Sequence, residues 1–363
     1  MPELTVVVPA FRERDNIPSL LRTLDRALAG LDWETIIVVD DAFDGTEDLV
    51  RERAQQDPRV RCLHRIGRRG LASACIEGML ASSAPYIAVM DADLQHDEAL
   101  LPGLLAEAKS RDADVVVASR YMQGGSTGDL PPDRVRASRM AGAMSRVLYR
   151  GLTDPMSGYF IVRRSFLERV VRKLYGRGFK ILLDLIAAAR GDVKVRELPY
   201  RMRKRETGQS KLGARVIAEF GMLILYHLFG RLLPARFFLF AAVGATGIVV
   251  QLAALSLLFG ASGNFLISQA VATWAAMTSN FFLNNAITYG DQRLRGRRIW
   301  RGLISFYAAC GIGAFINIAL ADWLFIKAAP YWAAGLAGAL IAALWNFFTT
   351  ASFTWGGSTA GKR

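Results

Sequence analysis

Apolar residues in the first 118 positions form short runs that alternate with amphipathic stretches. Runs of four or five mostly apolar residues predict five strands, at 4–8, 35–39, 60–63, 86–90 and 114–118. Helical spacing of apolar residues predicts helices between them, at 16–29, 46–56, 70–81 and 98–111. Short strands that are apolar throughout are typical of a sheet covered by helices on both faces. The sequence therefore predicts an α/β fold with a mostly parallel sheet.

The pattern loosens after residue 120. Residues 123–132 are rich in Gly, Pro and Ser and predict a loop, and residues 201–211 form a basic, turn-rich stretch. Charged and apolar residues then mix at helical spacing in the segment 213–235. This segment is predicted to be an amphipathic helix suited to a membrane interface.

Four long apolar segments follow, at 237–259, 265–287, 303–325 and 331–353. Each has 23 residues, or roughly 35 Å as a helix, which is enough to cross the hydrocarbon core of a bilayer. The sequence thus predicts an all-α transmembrane domain of four helices at 236–356, between a first domain at 1–212 and a tail at 357–363. The link 291–301 carries five arginines, whereas the other two links together hold a single lysine. The positive-inside rule therefore puts the first domain and both termini in the cytoplasm.

The apolar half also looks duplicated. The ten residues from Asn280 resemble the ten from Asn346 at an offset of 66, and Gly244 and Gly311 open similar runs at an offset of 67. Either two helical hairpins of the same orientation are present, or the short Asn-Phe-Phe motif recurs by chance in a biased composition.

Composition and charge exclude several classes of protein for this chain. With 52% hydrophobic and 21% charged residues, the chain is not a disordered one. Its 45 basic residues exceed its 32 acidic ones, for a net charge of +13, and only Asp291 and Asp322 among the acids follow position 236. In a chain with membrane segments this charge favours lipid head groups and phosphorylated substrates over nucleic acid. Three cysteines without metal-like spacing exclude a disulfide scaffold and a Cys-rich zinc site. No signal peptide is evident, which agrees with a cytoplasmic first domain.

The motif Asp91-Ala92-Asp93 follows the predicted strand 86–90. Alternate residues of an extended chain point to one side, so both carboxylates could bind one divalent cation, with Gln95 as a third oxygen ligand. The alternative is an ordinary polar turn that closes a strand.

Three further motifs favour a cation site over an ordinary polar turn at Asp91-Ala92-Asp93. They are Pro9-Ala-Phe-Arg-Glu13, Val38-Val-Asp-Asp41 and Asp44-Gly-Thr46. Together with the Asp-Ala-Asp motif, and in this order, they resemble the family 2 glycosyltransferases over residues 4–212. The resemblance implies a GT-A fold, which is a Rossmann-like α/β catalytic domain. The apolar half resembles the GtrA-like four-helix membrane proteins, which implies either an anchor or a role in moving a lipid-linked sugar.

Later motifs are similar to those of the dolichyl-phosphate or polyprenyl-phosphate mannose synthases. They are Ser119-Arg-Tyr121, Asp154-Pro-Met-Ser-Gly-Tyr-Phe160, Gly178-Phe-Lys180 and Arg205-Glu-Thr-Gly-Gln-Ser-Lys211. This resemblance implies Mg²⁺ or Mn²⁺ as cofactor, bound by Asp91, Asp93 and Gln95. It implies a nucleotide-sugar site of Pro9, Phe11, Glu13, Val39, Asp40, Asp91, Ala92, Asp93, Gln95, Arg120, Arg205 and Lys211. It also implies a lipid-phosphate site of Arg120, Arg134 and Ser138, and catalytic roles for Asp93, Arg120, Lys180 and Arg205.

Several features of the sequence weaken parts of this assignment of site residues and substrate. Each basic residue could instead be a solvated surface charge, and the three histidines His64, His96 and His227 are interpreted as structural. Phe11 replaces the usual Tyr, and the link of Ala42 and Phe43 is one residue shorter than usual, which puts donor choice in question.

The function implied by the resemblance is inverting transfer of mannose from GDP-mannose to a polyprenyl phosphate at the cytoplasmic membrane face. One alternative is a glucosyltransferase that uses UDP-glucose. Another is a translocator of lipid-linked sugar with a sugar-nucleotide-binding domain. The sequence does not determine the oligomeric state.

Overall fold

The computed structural model describes residues 1–41, 43–128, 132–203, 214–230, 235–262, 265–327 and 344–350. It divides into two compact units, Met1–Phe229 and Gly230–Arg363.

The first unit is built on a seven-stranded sheet with the order β3-β2-β1-β4-β6-β5-β7. Its strands are β1 (Leu4–Ala10), β2 (Trp33–Asp40), β3 (Val60–Arg65), β4 (Tyr86–Val89), β5 (Val115–Ser119), β6 (Phe160–Arg163) and β7 (Val195–Pro199). β1 is an interior strand that pairs in parallel with β2 and β4, with Val7 opposite Ile36 and Val89. The five strands predicted from the sequence are confirmed as β1 to β5.

Helices cover both faces of this sheet. The helices of the first unit are α1 (Ile17–Ala27), α2 (Thr46–Gln56), α3 (Leu71–Ala81), α4 (Leu101–Ser110), α5 (Pro132–Ser145), α6 (Arg164–Val170), α7 (Ile181–Ala189) and α8 (Ala214–Phe229), with 3₁₀ turns at Glu98–Leu100 and Val171–Lys173. α1 and α4 contribute to a core on one face, and α3 and α7 to a core on the other. Burial of the strands on both faces explains their continuous apolar runs.

The sequence did not predict β6 and β7. β6 has only four residues and follows a stretch of Pro, Ser and Gly. β7 is an edge strand with Arg196 and Glu197, so it lacks the apolar run of a buried strand. β6 runs antiparallel to both β4 and β5, whereas β7 is parallel to β5. The carboxyl ends of β4, β5 and β7 therefore meet the amino end of β6 at one edge of the sheet.

Helix α8 lies in the segment predicted to be amphipathic. Leu223 packs with Met156 and Leu183 in a small buried cluster. The ring of His227 contacts the fully buried carboxylate of Asp184 at 2.7 Å (Nε2 to Oδ1). One side of α8 thus packs on the rest of the first unit, and the contact between His227 and Asp184 is part of this packing.

The second unit is helical. Its helices are α9 (Ala235–Ser262), α10 (Phe265–Leu283) and α11 (Arg297–Ile326), with a π-helical segment at Asn284–Thr288, a 3₁₀ turn at Gly290–Gln292 and a further helical stretch at 344–350. Three of the four predicted apolar segments coincide with these helices, and most of 331–353 lies outside the described residues. Within the described ranges, no helix has both the length and the apolar character that crossing a membrane requires. The four spans and the domain boundaries stay predictions.

Two matched contacts support the internal duplication. A Cβ atom on Gly247 would overlap the amide of Asn280, and a Cβ atom on Gly313 would overlap the amide of Asn346. Both contacts join a helix glycine to an asparagine, and the two pairs are related by the offset of 66 seen in the sequence. The glycines that the sequence pattern pointed to, Gly244 and Gly311, have open space where a Cβ would lie.

Candidate functional site

The loop after β4 carries the acidic motif. Asp91 begins this loop and Asp93 follows two residues later, with its Oδ1 accepting a hydrogen bond from the Gln95 backbone N–H (3.2 Å). Leu94 has a left-handed backbone (φ 60°), which is uncommon for a residue other than glycine. The loop therefore turns sharply and keeps Asp91, Asp93 and Gln95 close in space.

The chemistry of these three residues fits a hard divalent cation. The Asp91 side chain is 41% exposed, and Asp93 is buried beside it in the loop. The Gln95 amide donates to the Arg203 carbonyl (Nε2 to O 3.2 Å), which fixes the amide and leaves its oxygen as the possible ligand. Two carboxylates and an amide oxygen are donors that Mg²⁺ and Mn²⁺ accept. Among the described residues no three His, Cys, Asp or Glu side chains form a metal cluster, so the amide oxygen or a ligand must complete such a site.

Arg120, directly after β5, is held by a buried carboxylate. Asp154 is fully buried and accepts hydrogen bonds from Arg120 Nε (2.7 Å), Nη2 (2.9 Å) and the backbone N–H (3.1 Å). Burial lowers the pKa of Arg120, but the hydrogen bonds and charge of Asp154 outweigh burial and raise its pKa overall. Arg120 therefore stays charged, and two of its five guanidinium N–H donors are directed to Asp154.

Lys180 precedes α7 and approaches the same segment. Its Nζ donates to the Met156 carbonyl (3.4 Å). Burial of the ammonium group lowers the pKa of Lys180, the charge of Arg120 lowers it further, and Asp154 and Asp91 oppose these effects. The structure thus brings Lys180 into the electrostatic environment of both the acidic loop and the Arg120–Asp154 pair.

Phe11 follows β1 at the same edge of the sheet. The guanidinium of Arg69 lies over its ring at 4.8 Å and that of Arg12 at 5.5 Å from the ring centroid. Pro9 lies within β1, and Glu13 accepts a hydrogen bond from the Asn16 side chain (2.6 Å).

Asp40, at the end of β2, is engaged within the protein. Its Oδ1 accepts from Arg65 Nη1 (2.7 Å) and its Oδ2 from the Gly70 backbone N–H (2.8 Å). The carboxylate thereby holds residues 65–70 beside Phe11. The side chains of Val39 and Ala92 are buried, so a ligand would meet their backbone.

The residues predicted to contact the lipid phosphate are only partly described. Ser138 lies on α5, and its buried Oγ has no hydrogen-bond partner among the described residues. Arg134 is on the same helix, but its side chain lies outside the described residues, as do Arg205 and Lys211.

Residues 5–171 match the family described as Glycosyl transferase family 2, and residues 239–355 match the family described as GtrA/DPMS, transmembrane domain. The chain is 31% identical to a dolichol-phosphate mannosyltransferase of Pyrococcus furiosus over 361 residues, which cover 97% of this chain and 99% of that protein. This chain belongs to glycosyl transferase family 2.

Other proteins match a smaller part of this glycosyltransferase. The dolichol-phosphate mannosyltransferase of Saccharomyces cerevisiae is 34% identical, over 60% of this chain and 84% of that protein. A crystal structure of glucosyl-3-phosphoglycerate synthase from Mycobacterium tuberculosis, in complex with uridine-diphosphate, is 16% identical. That match covers 62% of this chain and 80% of that one, with a TM-score of 0.48.

Sequence reasoning missed several residues at the site of this glycosyltransferase. Asp154 lies in the motif 154–160 but was given no role, and Arg203, whose carbonyl accepts a hydrogen bond from Gln95, follows a strand that was not predicted. His96, interpreted from the sequence as structural, accepts a hydrogen bond at Nδ1 from the backbone N–H of Asp91. The available signal was its position within the motif from Asp91 to His96, five residues after the first carboxylate.

Proposed function

We propose that this glycosyltransferase transfers mannose from GDP-mannose to a dolichyl or other polyprenyl phosphate. The observation that carries the proposal is the similarity to the Pyrococcus furiosus protein, because it extends over 97% of this chain and so includes both units. The mannose and the lipid acceptor of this proposal follow from the activity in the name of that relative. The nucleotide base is inferred from the family resemblance.

The donor would occupy the edge of the sheet. Asp91, Asp93 and Gln95 would hold a divalent cation, which when bound neutralises the charge of the leaving diphosphate. Phe11 would stack on the base, with Pro9, Glu13 and the backbone of Val39 around the nucleoside. Because both Asp40 oxygens are engaged by Arg65 and Gly70, Asp40 would act on the nucleoside chiefly by holding this part of the site in place.

The transfer would be an inverting single displacement by the lipid phosphate. That phosphate is ionised near neutral pH, so the reaction needs positioning and charge stabilisation more than a general base. Lys180 would lie near the transferred sugar. Arg120 would face a phosphate with the donors that Asp154 leaves available, and Ser138 has an unpartnered buried hydroxyl suited to the acceptor phosphate. Arg134, Arg205 and Lys211 would add positive charge to the phosphates.

The second unit would hold the enzyme at its lipid substrate. The match to the GtrA/DPMS transmembrane domain supports membrane insertion of residues 239–355. The five arginines of the link 291–301 support a cytoplasmic position for this link, the catalytic unit and both termini.

The test uses the full-length chain in detergent with Mn²⁺, polyprenyl phosphate and either labelled GDP-mannose or labelled UDP-glucose. We expect label from GDP-mannose to become extractable with lipid, and expect Asp91→Asn to abolish this transfer. Transfer from UDP-glucose instead would favour the glucosyltransferase alternative. The translocator alternative is favoured if neither sugar is transferred but added lipid-linked sugar crosses the membrane of vesicles that contain the protein.

A further inference from the structure

His96 lies against the first carboxylate residue of the acidic loop. It is 3% exposed, and its Nδ1 accepts a hydrogen bond from the backbone N–H of Asp91 (3.1 Å). A ring nitrogen that accepts a hydrogen bond carries no proton, so in the neutral ring the proton is on Nε2. This Nε2 is 3.8 Å from Asp91 Oδ2. The same ring therefore closes the loop through the backbone and lies beside the carboxylate.

The orientation of this ring is fixed by two tyrosines. His96 stacks on Tyr159, with ring centroids 4.9 Å apart and an interplanar angle of 11°, and meets Tyr200 edge-on at 6.0 Å. Tyr159 is itself buried, and its hydroxyl donates to the Asp97 carbonyl (2.8 Å). Stacking on Tyr159 sets the plane of the imidazole, and the hydrogen bond from the Asp91 backbone N–H selects the ring flip that places Nδ1 toward that N–H.

The neighbouring segment leaves space for this arrangement. A Cβ atom on Gly158 would lie 3.3 Å from Asp91 Oδ2 and 3.6 Å from His96 Cε1. The first distance is tight for such a contact, so a side chain at position 158 would press on the Asp91 carboxylate. Glycine at this position lets the segment before β6 pack closely against both Asp91 and His96.

We propose that His96 is a positioning residue, which sets the orientation of Asp91 for binding the divalent cation. The inference rests on the metal site in the proposed function. The backbone hydrogen bond at Nδ1 fixes the start of the loop, and the packed imidazole beside Asp91 Oδ2 limits the positions that the carboxylate can take. Groups that orient metal ligands in this way typically contribute about 10- to 100-fold to metal affinity.

The test is direct Mn²⁺ binding to the full-length chain in detergent, measured from the electron paramagnetic resonance signal of free Mn²⁺. His96→Phe keeps an aromatic ring on Tyr159 but removes both nitrogens, and we expect it to weaken Mn²⁺ binding about 10- to 100-fold. His96→Asn places an amide oxygen near the position of Nδ1 and should recover most of this loss. In the transfer assay, His96→Phe should need more Mn²⁺ and approach the wild-type kcat once Mn²⁺ is saturating.

Tyr159→Phe is the matched structural control. It loses the buried hydrogen bond to Asp97 and should lower the melting temperature by about 2–4 °C. It keeps the ring under His96, so its Mn²⁺ affinity should equal that of the wild type.

Comparing these variants with Asp91→Asn shows whether the proposed metal site is wrong or only the proposed role of His96. If Asp91→Asn binds Mn²⁺ normally, the proposed metal site is wrong and the role of His96 is wrong with it. If Asp91→Asn loses binding but His96→Phe binds normally, only the role of His96 is refuted. Equal weakening in His96→Phe and His96→Asn would also refute it, since the acceptor at Nδ1 would then be irrelevant. Should His96→Phe not fold, His96→Gln replaces it, because its amide reaches the position of Nε2 and leaves Nδ1 without a substitute.

Discussion

Replacing Asp154 with alanine should destabilise the first unit strongly. The change removes three hydrogen bonds to Arg120 and leaves a guanidinium that is only 11% exposed without its counter-charge. Breaking a buried ion pair by removing one partner costs about 3–5 kcal/mol. For a unit of this size that corresponds to a fall in melting temperature on the order of 10 °C. The measurement is urea unfolding of the full-length chain, followed by hydrogen exchange of peptides from β5 and β6.

A double variant separates the structural role of Arg120 from its expected role at the phosphates. Arg120→Met with Asp154→Leu removes both charges and keeps similar volumes, so most of the stability should return. If Arg120 also faces a phosphate, this stable variant should still lose activity by on the order of 10²-fold. Full activity in the double variant would make Arg120 purely structural.

The control for the buried Arg120–Asp154 ion pair is an exposed ion pair. Glu107 and Arg111 are one helical turn apart at 3.9 Å, and Glu107→Ala should change the free energy of unfolding by no more than about 0.5 kcal/mol. If Asp154→Ala were as mild as this control, or if the double variant were as unstable as the single one, the reasoning about a buried ion pair would be refuted.

Other variants test separate parts of the fold and site. Asp93→Asn should lower transfer by on the order of 10²-fold and shift the Mn²⁺ titration upward, because an amide is a weaker ligand; normal rates at low Mn²⁺ would contradict this. Burial lowers the pKa of Lys180 below the ordinary value of about 10.4. If its ammonium is needed, rates are full below the lowered pKa and fall as pH rises through it, and Lys180→Met should lack this alkaline limb. Gly78→Ala would press on Val7 and Val38 and should cost about 1–3 kcal/mol, which an unchanged urea midpoint would disprove.

The parallel part of the sheet could be predicted because burial on both faces leaves an unmistakable apolar run. Val6 to Val8 and Ile36 to Val39 are each buried, and both runs were assigned to strands from the sequence alone. β7 was not predicted because an edge strand needs no such run, and exposed Arg196 and half-buried Glu197 interrupt its apolar pattern. β6 was not predicted because four residues carry too little periodicity to distinguish a strand from any other buried segment.

The site was predictable as a set of residues but not as a set of contacts. The motif residues Asp40 and Arg120 were identified by resemblance, yet their partners Arg65 and Asp154 lie 25 and 34 positions away. Such pairs depend on strand register and on the direction of each strand, which residue spacing does not encode. For the same reason the proposed role of His96 follows only from the position of its ring against Asp91 in the structure.

The antiparallel strand β6 explains how two distant motifs form one site. Asp91 follows β4 and Arg120 follows β5, and these two strands are not neighbours because β6 lies between them. Since β6 runs in the opposite direction, its amino end lies at the edge where β4 and β5 end. The residues just before β6 are thereby placed between the acidic loop and Arg120: Asp154 binds Arg120, and Gly158 borders Asp91. A parallel strand in this position would have brought Arg163 to that edge instead, so the reversal of one short strand is what joins the candidate metal ligands to the cationic side of the site.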